Sequence, residues 1–312
     1  MNPMKSFFLL LSKSKLLKNL ASSFGPARYF SRRFVSGETL EEGISTAREL
    51  NKNKTLVTLD NLGESVSDEK SALEAADEYL RILEGIKSEP GHDITVSLKL
   101  TQMGMDISEK FCSDNIHRIM NKVKEYRKKL TIDMEDTPYT DRTLNLYTAL
   151  LKEGFTSTGI VIQTYLRRSE DDIRKLLPLG PRIRLCKGAY KEPASVAFPK
   201  KRDVDDNYIN LLKIMFAPEA LKSGAYPEVA SHDEKIINWT REHVKQNNIP
   251  ADKFEFQMLY GIRRDLQDKL VKEGFQMRVY LPYGTHWYPY YMRRMAERPA
   301  NVWFIMKNML YR

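Results

Sequence analysis

The passage YLPYGTHWYPYYMRRMAERPAN, residues 280–301, places six aromatic residues, an arginine pair and a glutamate in one stretch. The preceding MRVYL alternates as a strand does, Pro282 and Gly284 are expected to form a turn, and residues 287–298 read as a helix stopped by Pro299. On such a helix Arg293 and Arg294 project about 100° apart. A guanidinium pair beside Tyr280, Tyr290 and Tyr291 suits a small carboxylate held among rings. The same residues also fit an exposed helix on which Arg293 and Glu297 pair at i and i+4.

The elements that must position such a site are legible as eight aliphatic, β-branched runs, at 55–60, 94–100, 130–135, 159–165, 182–187, 226–232, 254–259 and 276–281. Each is followed by room for one helix, the pattern of parallel βα units, and eight of them imply a (β/α)8 TIM-like barrel, expected to be distorted. Active sites of that fold lie at the C-terminal ends of the strands. Polar residues collect there: Asp60 with Glu64 beyond it, Lys99, Asp133 and Glu135, Gln163, Arg184 and Lys187, Ser231 and His232, Gln257, and Tyr280. One such residue is more often a cap or a buried ion-pair member. All eight strand ends together favour a polar, ligand-filled rim. No Gly-x-Gly occurs, so neither a Rossmann fingerprint nor a P-loop is present.

Eight motifs in one order carry a closer resemblance: LDNLGES (59–65), VSLKLTQMG (96–104), TIDMEDT (131–137), VIQTYLRR (161–168), RIRLCKGAYKEP (182–193), VASHDEK (229–235), EFQMLYG (255–261) and the passage above. From about residue 38 to the end, the chain resembles the compact, single-function form of proline dehydrogenase. That resemblance implies oxidation of L-proline to 1-pyrroline-5-carboxylate by hydride transfer to FAD, with electrons passed to a membrane quinone. It also implies that a separate pyrroline-carboxylate dehydrogenase takes the product.

By the same resemblance, Met134, Gln163, Arg184, Lys187, Gly188, Ala189, Ser231 and His232 contact FAD, with Gln257 assigned to the same face. Ser231 stands where the family commonly has threonine, which keeps the hydroxyl. Lys99, Arg293 and Arg294 match the carboxylate-binding residues. Asp133 and Arg184 are the catalytic assignments, Asp133 to orient Lys99 and Arg184 to place positive charge near flavin N5. Tyr280, Leu259 and Tyr290 are expected to wall the substrate ring, and Tyr280 to crowd a 4-hydroxyl. Asp60 or Glu64 is expected to pair with Arg293 as a gate. No histidine stands at an obvious position to take the substrate's amine proton, and no general base is assigned. Two alternatives stay open: a dehydrogenase of hydroxyproline or another cyclic imino acid, and a non-catalytic membrane-surface binding protein.

The formal charge of +9 belongs mostly to one end. Residues 1–37 hold seven Lys and Arg and no acid, leaving +2 for the other 275 residues, so a basic nucleic-acid groove is not expected. The division is therefore a basic amphipathic segment, 1–37, and a barrel domain, 38–312. Phe7, Leu10, Leu11, Leu17, Leu20 and Phe24 fall near one helical face of the segment. It fits a helix packed on the domain, a helix on an anionic membrane surface, or a mitochondrial targeting segment. We expect a cytoplasmic protein, peripheral at the inner face of the membrane, rather than one of the mitochondrial matrix. Cys112 and Cys186 form no paired motif, and the five histidines show no metal-ligand spacing.

Overall fold

The computed structural model describes residues 32–63, 65–87 and 93–297, apart from the side chains of Arg293 and residues 295–297. Most of the basic N-terminal segment and Glu64 lie outside the described residues.

Eight parallel strands close into a barrel in sequence order: β1 (Leu56–Asn61), β2 (Ile94–Lys99), β3 (Leu130–Asp133), β4 (Thr158–Gln163), β5 (Arg182–Cys186), β6 (Tyr226–Ala230), β7 (Glu255–Leu259) and β8 (Met277–Tyr283). Helices α1 (Leu40–Lys52), α2 (Glu69–Ile86), α3 (Glu109–Glu125), α4 (Thr137–Lys152), α5 (Ser169–Leu176), α6 (Lys201–Met215), α7 (Pro218–Lys222), α8 (Glu234–Gln246), α9 (Arg264–Lys272) and α10 (Trp287–Glu297) accompany them. Their starts follow local chemistry. Thr39 and Glu42 form a reciprocal capping box for α1, while Asp68 and Ser108 accept backbone N–H bonds at the starts of α2 and α3.

The strand alternation sorts residues by chemistry. Val57 and Leu59, Val96 and Leu98, Ile183 and Leu185, and Phe256 and Met258 are buried in the two main apolar clusters that the helices cover. The alternate positions face the barrel interior, where bulky aliphatic layers are the usual filling. Here most of them are polar, Val161 of β4 being an exception. Arg278 on β8 is paired with Glu255 (2.6 Å) and Asp93 (2.9 Å), and donates to the Val57 carbonyl across the barrel seam at 2.9 Å. Arg182 on β5 pairs with Glu228 on β6 at 2.6 Å and lies over the Tyr226 ring. This lower tier is a closed set of buried ion pairs, a stable arrangement only because each charge has a close partner.

Three strands end two residues earlier than expected, and β2 and β5 one residue earlier. Met134 and Glu135, Thr164 and Tyr165, and Ser231 and His232 continue the apolar or polar patterning but have left the parallel ladder. The loops above the strands, rather than the strands themselves, thus present these residues. The expected turn at Pro282 is also corrected: β8 runs through Tyr283, paired to β1 as far as Asn61. Proline lacks an N–H, but its carbonyl accepts from both the backbone N–H and the hydroxyl of Ser36, at 2.9 and 3.1 Å.

Those contacts belong to a strap, residues 33–37, that crosses the barrel mouth. Phe34 and Val35 are buried against Leu62, Ile262 and the aromatic face of α10, and the Gly284 N–H donates to the Gly37 carbonyl. The strap also dictates the residue beneath it. Gly261 has φ +74°, and a Cβ there would lie 1.8 Å from the Arg33 carbonyl oxygen. Residues 33–37, expected to go with the basic segment, therefore pack as part of the barrel.

Candidate active site

Above the lower tier, side chains from three other strands, β2, β5 and β8, converge on Asp133. The β2–β3 register places Lys99 opposite Asp133, and the lysine Nζ lies 3.7 Å from Asp133 Oδ2 and 3.4 Å from Asp60 Oδ1. Arg184 Nη1 donates to Asp133 Oδ1 at 2.8 Å and to Ser97 Oγ at 3.1 Å. Ser97 in turn donates to Asp133 Oδ1 at 2.7 Å, and the Tyr280 hydroxyl donates to Asp133 Oδ2 at 2.8 Å. The Arg184 guanidinium sits 5.3 Å from the Tyr280 ring centroid, within cation–π range.

The electrostatics follow from two carboxylates sharing one ammonium. Burial lowers the Lys99 pKa, but the attraction of Asp60 and Asp133 outweighs it, so Lys99 titrates above its ordinary value and stays charged. Asp60 is 1% exposed, and burial, with the nearby Asp133 charge adding, lifts its pKa despite Lys99. Burial and the Asp133 carboxylate likewise push the Tyr280 phenol well above its usual range, so it remains a hydrogen-bond donor. At Cys186, on β5 beyond Arg184, burial raises the thiol to about 11, which leaves it unreactive at neutral pH.

Among the described residues, the buried polar atoms without a partner include Thr164 Oγ1, Tyr165 Oη and two that belong to this network. Gln163 donates its amide hydrogens to the carbonyls of Met134 and Glu135, leaving Oε1 unsatisfied, and Arg184 Nη2 is unpaired. Such atoms are rare in native interiors and mark places where a ligand completes the bonding. Next to them Gly188 adopts φ +98°, and a Cβ there would fall 2.2 Å from the Tyr165 ring. A flat, polar-edged group fits this set: an acceptor at Gln163, a cationic donor at Arg184 and a glycine backbone with no side chain.

Other expected residues fall differently. Asp60, expected as half of a gate, lies buried as the partner of Lys99. Its proposed partner, the Arg293 side chain, lies with Glu64 outside the described residues. Lys187 pairs with Asp205 at 2.5 Å and Asp233 at 2.6 Å, so its charge is already matched within the protein. The Gln257 amide is fully engaged with Arg184, Glu228 and Glu255. Ser231 Oγ accepts from the Asp233 N–H, and His232 Nε2 accepts from the Leu259 N–H at 3.0 Å, which fixes the neutral ring's proton on Nδ1. Ala189 is exposed at the rim and Met134 buried beside Gln163. On α10, Arg294 lies over the Tyr290 ring at 5.1 Å, within the aromatic cluster held by the strap.

Sequence reasoning missed Ser97, Tyr165, Glu228 and Arg278. For Ser97, Glu228 and Arg278 the signal is the alternation of polar residues inside β2, β6 and β8, as in Thr95-Val-Ser97-Leu-Lys99 and Arg278-Val-Tyr280, which assigns one strand face to polar groups; Tyr165, past the end of β4, carries no such signal.

Comparison with known proteins agrees with this architecture. A family model described as proline dehydrogenase matches residues 43–307. Proline dehydrogenase 1 of Bacillus subtilis subsp. natto is 45% identical over 98% of this chain and 99% of its own length. The proline dehydrogenase of Deinococcus radiodurans is 43% identical over 90% of each chain. Among solved structures, proline utilization A from Bdellovibrio bacteriovorus, inactivated by N-propargylglycine, superposes with TM-score 0.81 at 25% identity, covering 94% of this chain and 36% of that one. Matched along nearly its whole length, the chain belongs to the proline dehydrogenase family.

Proposed function

We propose that the chain oxidises L-proline to 1-pyrroline-5-carboxylate, with FAD as its resident cofactor and a membrane quinone as the electron acceptor. The observation that carries this reading is the pair of buried, unpartnered atoms, Gln163 Oε1 and Arg184 Nη2, above a network that holds Lys99 charged. A bound flavin supplies a two-electron acceptor for hydride from the substrate's ring carbon next to nitrogen. Gln163, Arg184 and the Gly188 backbone hold it, with Met134, Ala189, Ser231 and His232 around them.

The protein's own groups do the rest. Lys99, together with the arginines of α10, binds the proline carboxylate; an always-charged guanidinium suits that anion. Asp133 fixes Lys99, Arg184 and Tyr280 at once, so carboxylate site and cofactor site are set in one frame. Because its hydroxyl is anchored on Asp133, the Tyr280 ring is a fixed wall, which favours proline over 4-hydroxyproline. Arg184 places permanent positive charge where negative charge accumulates on reduction.

The basic first 37 residues support attachment to an anionic membrane surface, where a quinone is at hand. None of the helices among the described residues is long and apolar enough to cross a membrane. The visible spectrum of the purified protein, before and after anaerobic proline, tests the reading. Flavin absorbance that bleaches is the expected result. A flavin that stays oxidised with proline would count against this substrate, and failure to bind FAD on reconstitution would end the proposal.

A further inference from the structure

Arg184 approaches a carboxylate on each side. Asp133 lies above it, at 2.8 Å from Nη1, and Glu228 below it, with Oε2 3.9 Å from Nε. A guanidinium that close to a buried carboxylate gains most by closing the gap into a direct ion pair. Gln257 stands in the way. Its Oε1 accepts from Arg184 Nε at 2.6 Å, and its Nε2 donates one hydrogen to Glu228 Oε2 at 2.7 Å and the other to Glu255 Oε1 at 2.6 Å.

The amide can take only this orientation. Reversing it would turn its oxygen toward two carboxylates and its NH2 toward a guanidinium, replacing three attractive contacts by repulsive ones. The side chain is 4% exposed, so water cannot relieve that repulsion. Glu228 and Glu255 are themselves anchored by Arg182 and Arg278, so the lower tier holds Gln257 rigidly. A neutral residue with a donor end and an acceptor end is thus the link between four buried charges and Arg184.

We infer that Gln257 is a positioning residue: it keeps Arg184 off Glu228 and thereby leaves the Arg184 Nη2 donor, with its positive charge, facing the cofactor. The inference rests on the reading of Arg184 as a cofactor-facing group. Without Gln257, Arg184 drops onto Glu228, its Asp133 bond is lost, and its charge is neutralised away from the site.

The test compares Gln257→Met, Gln257→Glu and the double variant Gln257→Met/Glu228→Gln in FAD-loaded protein. Readouts are kcat and KM for proline, the midpoint reduction potential of the bound flavin, and thermal melting. For Gln257→Met we expect kcat to fall about ten- to hundredfold, as for loss of one hydrogen bond to a charged group. KM should hold, and the potential should move to more negative values. The double variant should recover most of the loss, because the competing carboxylate is gone. Gln257→Glu should work at acid pH, where its carboxyl is protonated, and lose activity as pH rises, on a limb the parent lacks. That limb decides the matter if Gln257→Met fails to fold. Parent-like kcat and potential in Gln257→Met, no recovery in the double variant, or no new pH limb would overturn the inference. Arg184→Met separates the two readings: if it too keeps parent kcat and potential, the cofactor-facing role of Arg184 fails. If only Arg184→Met is impaired, the positioning role of Gln257 fails alone.

Discussion

The two tiers inside the barrel are built from the same residue types, yet they end in opposite conditions. In the lower tier Arg278 meets both oxygens of Glu255, at 2.6 and 3.0 Å, and Arg182 meets Glu228 at 2.6 Å. Burial raises the Glu255 pKa, but Arg278 and Arg182 more than offset it, and the net direction is down. In the upper tier the Lys99 contacts are 3.4 and 3.7 Å, Asp60 is shifted up, and Arg184 and Gln163 keep unpaired atoms. A saturated set of charges holds the barrel together; an unsaturated one is where the proposed cofactor and substrate would find their partners.

The largest way to break this contrast is Glu255→Leu. It leaves Arg278 and Arg182 without their closest shared anion, and should cost roughly 3–5 kcal/mol of stability in urea unfolding. A loss under about 1 kcal/mol would mean the lower tier is not a closed structural set. Next comes Arg184→Met, which should lower kcat roughly a hundredfold, as for removal of one preorganised charged donor, while melting shifts less than for Glu255→Leu. Equal stability losses from the two variants would erase the distinction between tiers. Gly188→Ala, strained at φ +98° and crowded by Tyr165, should cost about 1–3 kcal/mol and weaken FAD retention. Its failure to release FAD faster under dilution would remove Gly188 from the cofactor seat.

The smallest effect lies outside both tiers and serves as their reference. His117, which joins α3 to α4, donates from Nδ1 to the Ser113 carbonyl and from Nε2 to Glu153, each at 2.7 Å. Burial lowers its pKa, but these two acceptors raise it more, so the folded value exceeds the unfolded one. The stabilisation is fully present below the unfolded value of about 6.5 and is lost as pH rises through the folded value. The site is about one-third exposed, so solvent screening keeps the effect within about 1 kcal/mol. His117→Gln should flatten the melting temperature against pH across that window, and an unchanged slope would place the dependence elsewhere.

The strands were legible in the sequence because their outward positions are mostly aliphatic or aromatic, whatever faces inward. Lys99 and Asp133 were legible as a pair once parallel register was assumed, since both stand near strand ends on neighbouring strands. Gln257 and Lys187 were not, because their actual partners come from elements far off in the chain: Glu228 for one, Asp205 and Asp233 for the other. A composition pattern shows that a residue is polar and inward; it does not show which opposite charge reaches it first. Pro282 misled for a different reason. Its turn preference is real, but β8 supplies an extended site whose carbonyl Ser36 already satisfies.

The seam between β1 and β8 has a consequence for how the chain is made. Arg278 bonds the Val57 carbonyl across 221 residues of sequence, and Ser36 bonds Pro282 across 246. At ribosomal speeds of roughly 5–20 residues per second, β1 emerges on the order of ten to forty seconds before its second neighbour exists. During that interval its apolar face and open edge are exposed in the cell, with Asp60 among them. Tyr280, which completes the contacts of Asp133, arrives in the same late strand. On the proposed reading, the nascent chain cannot hold the cofactor until synthesis is nearly done, and a chaperone that shields the early half-barrel should raise yield more than added FAD does.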